Sequence, residues 1–195
     1  MKTIKNAIFV KTVSDQENYK STGKPEIILV GRSNVGKSSF INMLSNNSKL
    51  AKVSSTQGKT KYINEFLFNG EFVLLDLPGY GYAEVSKVEQ QRWNKMIESY
   101  IDNSKHLVGA ILLVDIRHAP TDQDAQMLDY LTFNSIPVTI VATKYDKIKK
   151  SDRIKNLTQI AAKLKVGIDN IFVTSAETSY GKQNLIDRIY QFIEA

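Results

Sequence analysis

Short, nearly continuous apolar segments recur along the chain and alternate with segments of helical periodicity. The apolar segments are rich in β-branched residues and cover residues 27–30, 72–75, 107–114, 138–142 and 171–173. Runs of this kind are typical of parallel strands that are buried on both faces of a sheet. Strands that alternate with helices predict an α/β fold, a three-layer domain with a mostly parallel sheet and helices on both faces.

Three segments show the spacing of an amphipathic helix, with apolar residues returning every three or four positions. The apolar faces consist of Trp93, Met96, Ile97, Tyr100 and Ile101 in the first segment, Ile154, Leu157, Ala161 and Leu164 in the second, and Leu185, Ile186, Ile189 and Ile193 in the third. Thr121, with Asp124 three residues later, and Ser151 are the predicted helix N-caps.

One pair of segments breaks the parallel pattern. Residues 62–68 alternate between apolar and polar, Asn69-Gly70 follows, and a second run covers residues 71–75. Asn-Gly between two such runs predicts a β-hairpin, and hence one antiparallel edge strand beside the parallel set. Residues 7–13 are expected to add a further edge strand. The length of 195 residues fits one domain, with residues 1–22 as an N-terminal extension of the body at residues 23–195.

Composition narrows the chemistry. The chain has no cysteine, which excludes disulfide frameworks, Fe–S clusters and cysteine nucleophiles. No apolar run approaches the ~18 residues of a membrane span, and no signal-peptide core follows Met1, so we expect a cytoplasmic protein without a membrane contact. The 26 Lys and Arg against 20 Asp and Glu give a net charge of +6. This charge suits an acidic partner such as nucleic acid, or an ordinary basic surface.

A phosphate-binding loop follows the strand at residues 27–30. It fits G-x-x-x-x-G-K-S and consists of Gly31, Arg32, Ser33, Asn34, Val35, Gly36, Lys37, Ser38 and Ser39. In such a loop the backbone N–H groups turn toward phosphate oxygens, the lysine neutralises the β and γ phosphates, and the following helix adds its positive end. Since the Ser38 hydroxyl can ligate Mg²⁺, the loop predicts a nucleoside triphosphate site, without fixing the base.

A second motif closes the hairpin. Its residues are Asp76, Leu77, Pro78 and Gly79. An aspartate at the end of a strand can hold the hydration shell of Mg²⁺, and the Gly79 N–H can contact a γ-phosphate. An ordinary turn is the alternative interpretation of this motif alone.

A third motif predicts the base. Thr143, Lys144 and Asp146 end the strand at residues 138–142. The Asp146 carboxylate can accept hydrogen bonds from guanine N1–H and N2–H₂, a pair of donors that adenine lacks. The aliphatic part of Lys144 would cover the face of the base. In isolation such a motif is more often a solvated charged loop, but its position after the first two motifs favours guanine binding.

The three motifs in this order resemble the translation-factor-type P-loop GTPases. Two further segments agree with that resemblance: Thr174-Ser175-Ala176, whose backbone amides would contact guanine O6, and Gly58-Lys59-Thr60, the switch I segment. Together with Tyr80-Gly81-Tyr82-Ala83, the set is similar to the EngB (YihA/YsxC) family of bacterial GTPases. Gln57, where the family usually has proline, and Thr143, where the general pattern has asparagine, are departures; the second implies moderate nucleotide affinity.

The resemblance implies a GTP switch in assembly of the large ribosomal subunit, required for normal division and septation. The sequence does not fix the oligomeric state, and a monomer is the default expectation. It implies Ser38, Thr60 and Asp76 as the Mg²⁺ ligands, Lys37, Thr60 and Gly79 as the groups that support hydrolysis, and a K⁺ ion at Asn34 or, alternatively, an asparagine that only stabilises the loop. Tyr80 stands where classical switch GTPases have a glutamine, so slow intrinsic hydrolysis is expected.

Charge suggests how such a switch would reach its partner. The segment 144–155 carries six cations and two anions, a net charge of +4 that could bind rRNA phosphates or, alternatively, belong to a solvated helix start and loop. Further lysines surround switch I: Lys49, Lys52, Lys59 and Lys61. Two other functions stay open, a nucleotide-dependent ribosome-binding assembly module with incidental hydrolysis and a small-metabolite kinase, although the guanine motif argues against the kinase.

Overall fold

Seven strands and five helices alternate along the part of the chain that the computed structural model describes, residues 2–13, 21–52, 62–81 and 87–194, with backbone alone for 87–90 and 92–94. The strands are β1 (Ala7–Val13), β2 (Glu26–Gly31), β3 (Ile63–Phe68), β4 (Phe72–Asp76), β5 (Leu107–Asp115), β6 (Val138–Thr143) and β7 (Ile171–Val173). The helices are α1 (Lys37–Ser45), α2 (Lys87–Asn103), α3 (Asp122–Phe133), α4 (Arg153–Leu164) and α5 (Lys182–Ile193).

The strands form one sheet in the order β1-β3-β4-β2-β5-β6-β7. Strands β4, β2, β5, β6 and β7 pair in parallel, whereas β3 is antiparallel to both of its neighbours. The predicted hairpin is confirmed, and β1 lies outside it, so the antiparallel strand β3 is second from the edge. The fold is the predicted α/β sandwich with a mostly parallel sheet.

Two apolar cores cover the two faces of the sheet, because successive residues of a strand point to opposite sides. In β2, Ile27 and Leu29 face α1 and α5, while Ile28 and Val30 face the side of α2, α3 and α4. All six residues of β2 are buried. The central strands are therefore apolar at most positions, which is the reason for the continuous runs in the sequence; Glu26, at the start of β2, is a buried exception.

Two predictions about α4 are wrong. Ile154 was placed on the buried face but is 76% exposed, whereas Ile160 is fully buried beside Ala161 and Leu164. Successive residues of a helix are about 100° apart around its axis. The apolar face that includes Ile160 is therefore centred away from Ile154, which lies in the first turn. The N-cap is Asp152 rather than Ser151, since a 3₁₀ turn at Lys150–Asp152 precedes the helix.

The helices within the described ranges were also compared with the dimensions of a bilayer. None of them combines the length and the apolar character needed to cross a membrane.

Candidate functional site

The phosphate-binding loop connects β2 to α1 at the carboxyl edge of the parallel strands. Gly36 is the N-cap of α1, and Lys37, Ser38 and Ser39 form its first turn. Val35 is buried beneath the loop. The first-turn N–H groups of a helix have no partner within the helix, so this end of α1 can bind an anion. Crevices at the carboxyl edge of an open parallel sheet are the usual ligand sites of such folds.

Asp76, the last residue of β4, is a buried carboxylate beside this loop. It is 2% exposed, its Oδ1 accepts no hydrogen bond from any described residue, and Lys37 Nζ lies 3.9 Å away. Burial raises the pKa of Asp76 to about 6, although the Lys37 charge acts in the opposite direction. A carboxylate oxygen without a partner fits a hydrated Mg²⁺, which binds few protein oxygens and keeps several waters.

Asp76→Asn is expected to stabilise the metal-free protein. The pKa of Asp76 is higher in the folded state than in the unfolded state. Below pH ~4 the carboxyl is protonated in both states and does not lower the free energy of unfolding. The free energy of unfolding falls as the pH rises through 4 to 6, because the folded state disfavours the ionised carboxylate. The rise of the Asp76 pKa from 3.8 to about 6 lowers the free energy of unfolding by about 2–3 kcal/mol at most. Thermal unfolding in EDTA from pH 4 to 8 should show this loss in the wild type and a flatter, higher profile in the variant. Equal pH profiles for both proteins contradict the expectation.

Gly79 and Tyr80 lie directly against the phosphate-binding loop. A Cβ added to Gly79 would come within 3.0 Å of both Lys37 Nζ and the Ser33 nitrogen. The Ser33 N–H donates to the Tyr80 carbonyl over 2.9 Å. A side chain at position 79 would therefore require the backbone of the phosphate-binding loop at Ser33 to move by a few tenths of an ångström. Leu77 and Pro78, the other residues of the motif, are buried, Leu77 within the core on the α2 side.

The Tyr80 side chain is anchored on α3. Its hydroxyl donates to Asp124 Oδ1 over 2.8 Å, and burial, followed by the Asp124 charge, raises the pKa of Tyr80. Asp124 also accepts hydrogen bonds from the N–H (2.7 Å) and hydroxyl (2.9 Å) of Thr121, which confirms the predicted cap of α3. Tyr80, which stands where the classical switch proteins have a glutamine, thus makes a structural contact with α3.

Thr143 and Lys144 tie the guanine motif to the phosphate-binding loop. The Thr143 hydroxyl donates to the Val35 carbonyl over 2.7 Å, and Lys144 Nζ donates to the Asn34 carbonyl over 2.7 Å. Thr143 therefore joins β6 to the loop even though it replaces the asparagine of the general pattern. Lys144 has a left-handed backbone, with φ at 62°.

Asp146 is held by the last loop of the chain. Ser175 Oγ donates to Asp146 Oδ1 over 2.6 Å, and Lys147 Nζ lies 3.0 Å from Oδ2. Burial acts to raise the pKa of Asp146, but the hydrogen bonds from Ser175 and Lys147 outweigh it and lower the pKa. The sequence predicted a role only for the backbone amides of Thr174, Ser175 and Ala176. It did not predict the hydrogen bond from the Ser175 side chain to Asp146.

The base-side residues line one cavity of about 610 Å³. Its walls come from the first turns of α1, from the guanine motif and from the last loop, and include Gly36, Ser39, Thr143, Lys144, Asp146, Thr174 and Ala176. Tyr145 and Tyr180 stack at 4.9 Å behind it and join the two base-side loops. Gly58, Lys59 and Thr60 lie outside the described residues.

Comparison with known proteins identifies the family. The family model described as "50S ribosome-binding GTPase" matches residues 26–144, more than half of the chain. The proteins named "Probable GTP-binding protein EngB" include one from Pelotomaculum thermopropionicum, 46% identical over 191 residues that cover 97% of this chain and 96% of that protein. One from Bacillus cereus is 46% identical over 193 residues, 98% of this chain and 97% of that protein.

Solved structures agree with the sequence comparison. A crystal structure of "a probable GTP-binding protein engB" superposes with a TM-score of 0.74 and 28% identity, and covers 87% of this chain and 98% of that one. Aquifex aeolicus Era shares the fold, with a TM-score of 0.68 and 20% identity over 86% of this chain and 56% of that one. The chain belongs to the EngB family of GTP-binding proteins and is a GTPase of the 50S ribosome-binding type.

Proposed function

We propose that this GTPase acts as a slow GTP switch in assembly of the large ribosomal subunit, in the cytoplasm, and that normal division and septation depend on it. The convergence of the phosphate-binding loop, the orphaned Asp76 carboxylate and the Asp146–Ser175 pair on one edge of the sheet supports the nucleotide site. The family description supports a ribosomal partner.

Each motif has a proposed role in this site. Residues 31–39 bind the phosphates through backbone amides and the Lys37 ammonium, and Gly79 contacts the γ-phosphate. Lys144, Asp146 and the amides of residues 174–176 hold the base. Bound Mg²⁺ would neutralise charge on the β and γ phosphates and would be held by Ser38, Thr60 and Asp76.

Slow intrinsic hydrolysis follows from the position of Tyr80. Its hydroxyl already donates to Asp124, and a phenol has no amide with which to orient the attacking water. Transition-state charge would then be stabilised mainly by Lys37, Mg²⁺ and backbone N–H groups, with Thr60 completing the coordination of Mg²⁺. Asn34, which is exposed at the apex of the loop, is the proposed ligand of a K⁺ ion.

Fewer cations are available for ribosome binding than the six in segment 144–155, because some of them already contact other residues of this chain. Lys144 and Arg153 are used internally, Lys144 at Asn34 and Arg153 over the Tyr145 ring at 4.1 Å. Lys147 pairs with Asp146 and Glu177. The exposed cations that form no ion pair among the described residues of this segment are Lys149, Lys150 and Lys155, and we propose that they contact rRNA phosphates. Lys49 and Lys52 are also exposed, whereas Lys59 and Lys61 lie outside the described residues.

The test is co-sedimentation with large ribosomal subunits in a GTP analogue, in GDP and without nucleotide, at two salt concentrations. The triple variant Lys149→Ala, Lys150→Ala, Lys155→Ala should lose most of the binding and its salt dependence, because about three phosphate contacts disappear. Lys5→Ala, Lys105→Ala, Lys165→Ala is the matched control, since these lysines are also exposed and the change in charge is the same. Binding insensitive to salt and nucleotide, or equal loss in both triple variants, contradicts the proposal.

A further inference from the structure

Asp115, which no sequence motif singled out, is a carboxylate at the carboxyl edge whose two oxygens both accept hydrogen bonds. It ends β5 directly opposite Thr143 in the neighbouring strand. Its Oδ1 accepts the Arg117 N–H (3.0 Å) and Arg117 Nε (2.9 Å). Its Oδ2 accepts Arg117 Nη2 and Lys144 Nζ, at 2.7 and 2.8 Å. Both carboxylate oxygens are therefore satisfied, and among the described residues their donors belong to Arg117 and Lys144.

The Lys144 ammonium is consequently held at two points. It donates to Asp115 on one side and to the Asn34 carbonyl on the other. The Lys144 backbone is left-handed, which is unfavourable for a residue with a Cβ and persists when surrounding contacts impose it. Asp115 thus connects the guanine motif to the apex of the phosphate-binding loop through one lysine.

The Asp115 carboxylate stays ionised in this setting. Its side chain is 15% exposed, and burial acts to raise its pKa, but the hydrogen bonds from Arg117 and Lys144 outweigh burial and lower the pKa to about 2. A group that keeps its charge at neutral pH is suited to orienting a cation and not to transferring a proton. Arg117 is 40% exposed and closes the network from the solvent side.

We propose that Asp115 is a positioning residue for guanine nucleotides, which fixes the Lys144 ammonium so that the lysine stem covers the base and its head holds the phosphate-binding loop at Asn34. Arg117 in turn fixes the Asp115 carboxylate. This inference rests on the nucleotide site proposed above. Since Lys144 would contact the base side of the ligand, the network should serve GDP and GTP equally.

The test measures the Kd of GDP and GTP for Asp115→Asn. The amide keeps the shape of the side chain but loses the charge and turns a donor toward Lys144 or Arg117. We expect both Kd values to rise by about 10-fold, the effect of losing one charge-assisted contact. Asp129→Asn, an exposed aspartate on α3, is the matched control and should bind as the wild type does.

A double-mutant cycle with Lys144→Met separates positioning from a general structural effect. If Asp115 acts through Lys144, Asp115→Asn should add less than about 2-fold in the Lys144→Met background, because contacting residues are not additive. Arg117→Gln, at a half-exposed position, should raise both Kd values by about 3-fold.

Three outcomes overturn the inference: wild-type affinity in Asp115→Asn and Arg117→Gln, full additivity in the cycle, or a loss confined to GTP. An absence of GDP binding to the wild-type chain overturns the proposed site itself, and the inference with it. Unchanged affinity in the variants alone, with a wild type that binds GDP, overturns only the role of Asp115.

Discussion

Lys37→Ala is expected to lower GTP turnover by at least about 100-fold, the usual loss when one preorganised donor to developing negative charge is removed. The Lys37 side chain is 10% exposed, and its Nζ lies 3.9 Å from Asp76 Oδ1. The ammonium is therefore largely desolvated and placed beside the proposed metal ligand. Because Lys37 also lowers the pKa of Asp76 against the effect of burial, its removal favours protonated Asp76 and weakens the Mg²⁺ site as well.

Phosphate release in a single turnover, at saturating GTP and Mg²⁺, measures this effect. Lys105→Ala is the matched control, since Lys105 is exposed just before β5, at the opposite end of the strands. The control should keep the wild-type rate. A Lys37→Ala protein that retains more than a tenth of that rate would show that the loop lysine is not the source of charge stabilisation.

Asp146→Asn is expected to weaken GTP and GDP binding by about 100- to 10,000-fold and to strengthen binding of xanthosine nucleotides. Guanine loses two hydrogen bonds to a charged acceptor, each worth about 1.5–3 kcal/mol. The structure also predicts the orientation of the new amide. Ser175 Oγ donates to Oδ1, so the amide oxygen takes that place and the NH₂ group faces the base, where xanthine presents a carbonyl instead of an amine.

Competition binding with GDP, xanthosine diphosphate and ADP distinguishes a change of specificity from a general loss. Asp169→Asn, at an exposed position outside the cavity, should bind like the wild type. A variant that loses all nucleotides equally would indicate a collapsed pocket. Ser175→Ala should weaken guanine binding less than Asp146→Asn does, since the carboxylate remains.

Features that depend on neighbouring residues were predictable from the sequence. Asn69 and Gly70 both have positive φ, at 51° and 68°, as a two-residue hairpin turn with this twist requires. Thr121 and Asp124 form the predicted cap because its atoms lie within one helical turn. The continuous apolar runs identified the central strands, because a strand buried on both faces has apolar residues at consecutive positions of the sequence.

Features that depend on register and packing were not predictable. Asp115 and Lys144 meet because β5 and β6 pair with Asp115 opposite Thr143, a relation between residues that are far apart in sequence. Asp115 gave the same signal as Asp76, an aspartate at the end of a buried strand, but without a surrounding motif. The contact of Tyr80 with Asp124 likewise depends on where α3 lies relative to β4, and the exposure of Ile154 depends on where α4 begins.

The hydrogen bond between the Ser33 N–H and the Tyr80 carbonyl sets a thermodynamic cost on any ligand whose phosphate takes the Ser33 N–H. One amide proton cannot serve two acceptors equally, so a phosphate oxygen that binds at Ser33 has to displace the carbonyl. A neutral hydrogen bond of this kind is worth about 0.5–1.5 kcal/mol, so apparent affinity is reduced by about 2- to 12-fold for any ligand that reaches Ser33. A ligand whose phosphates stop short of Ser33 avoids this cost and keeps the hydrogen bond that joins the phosphate-binding loop to Tyr80.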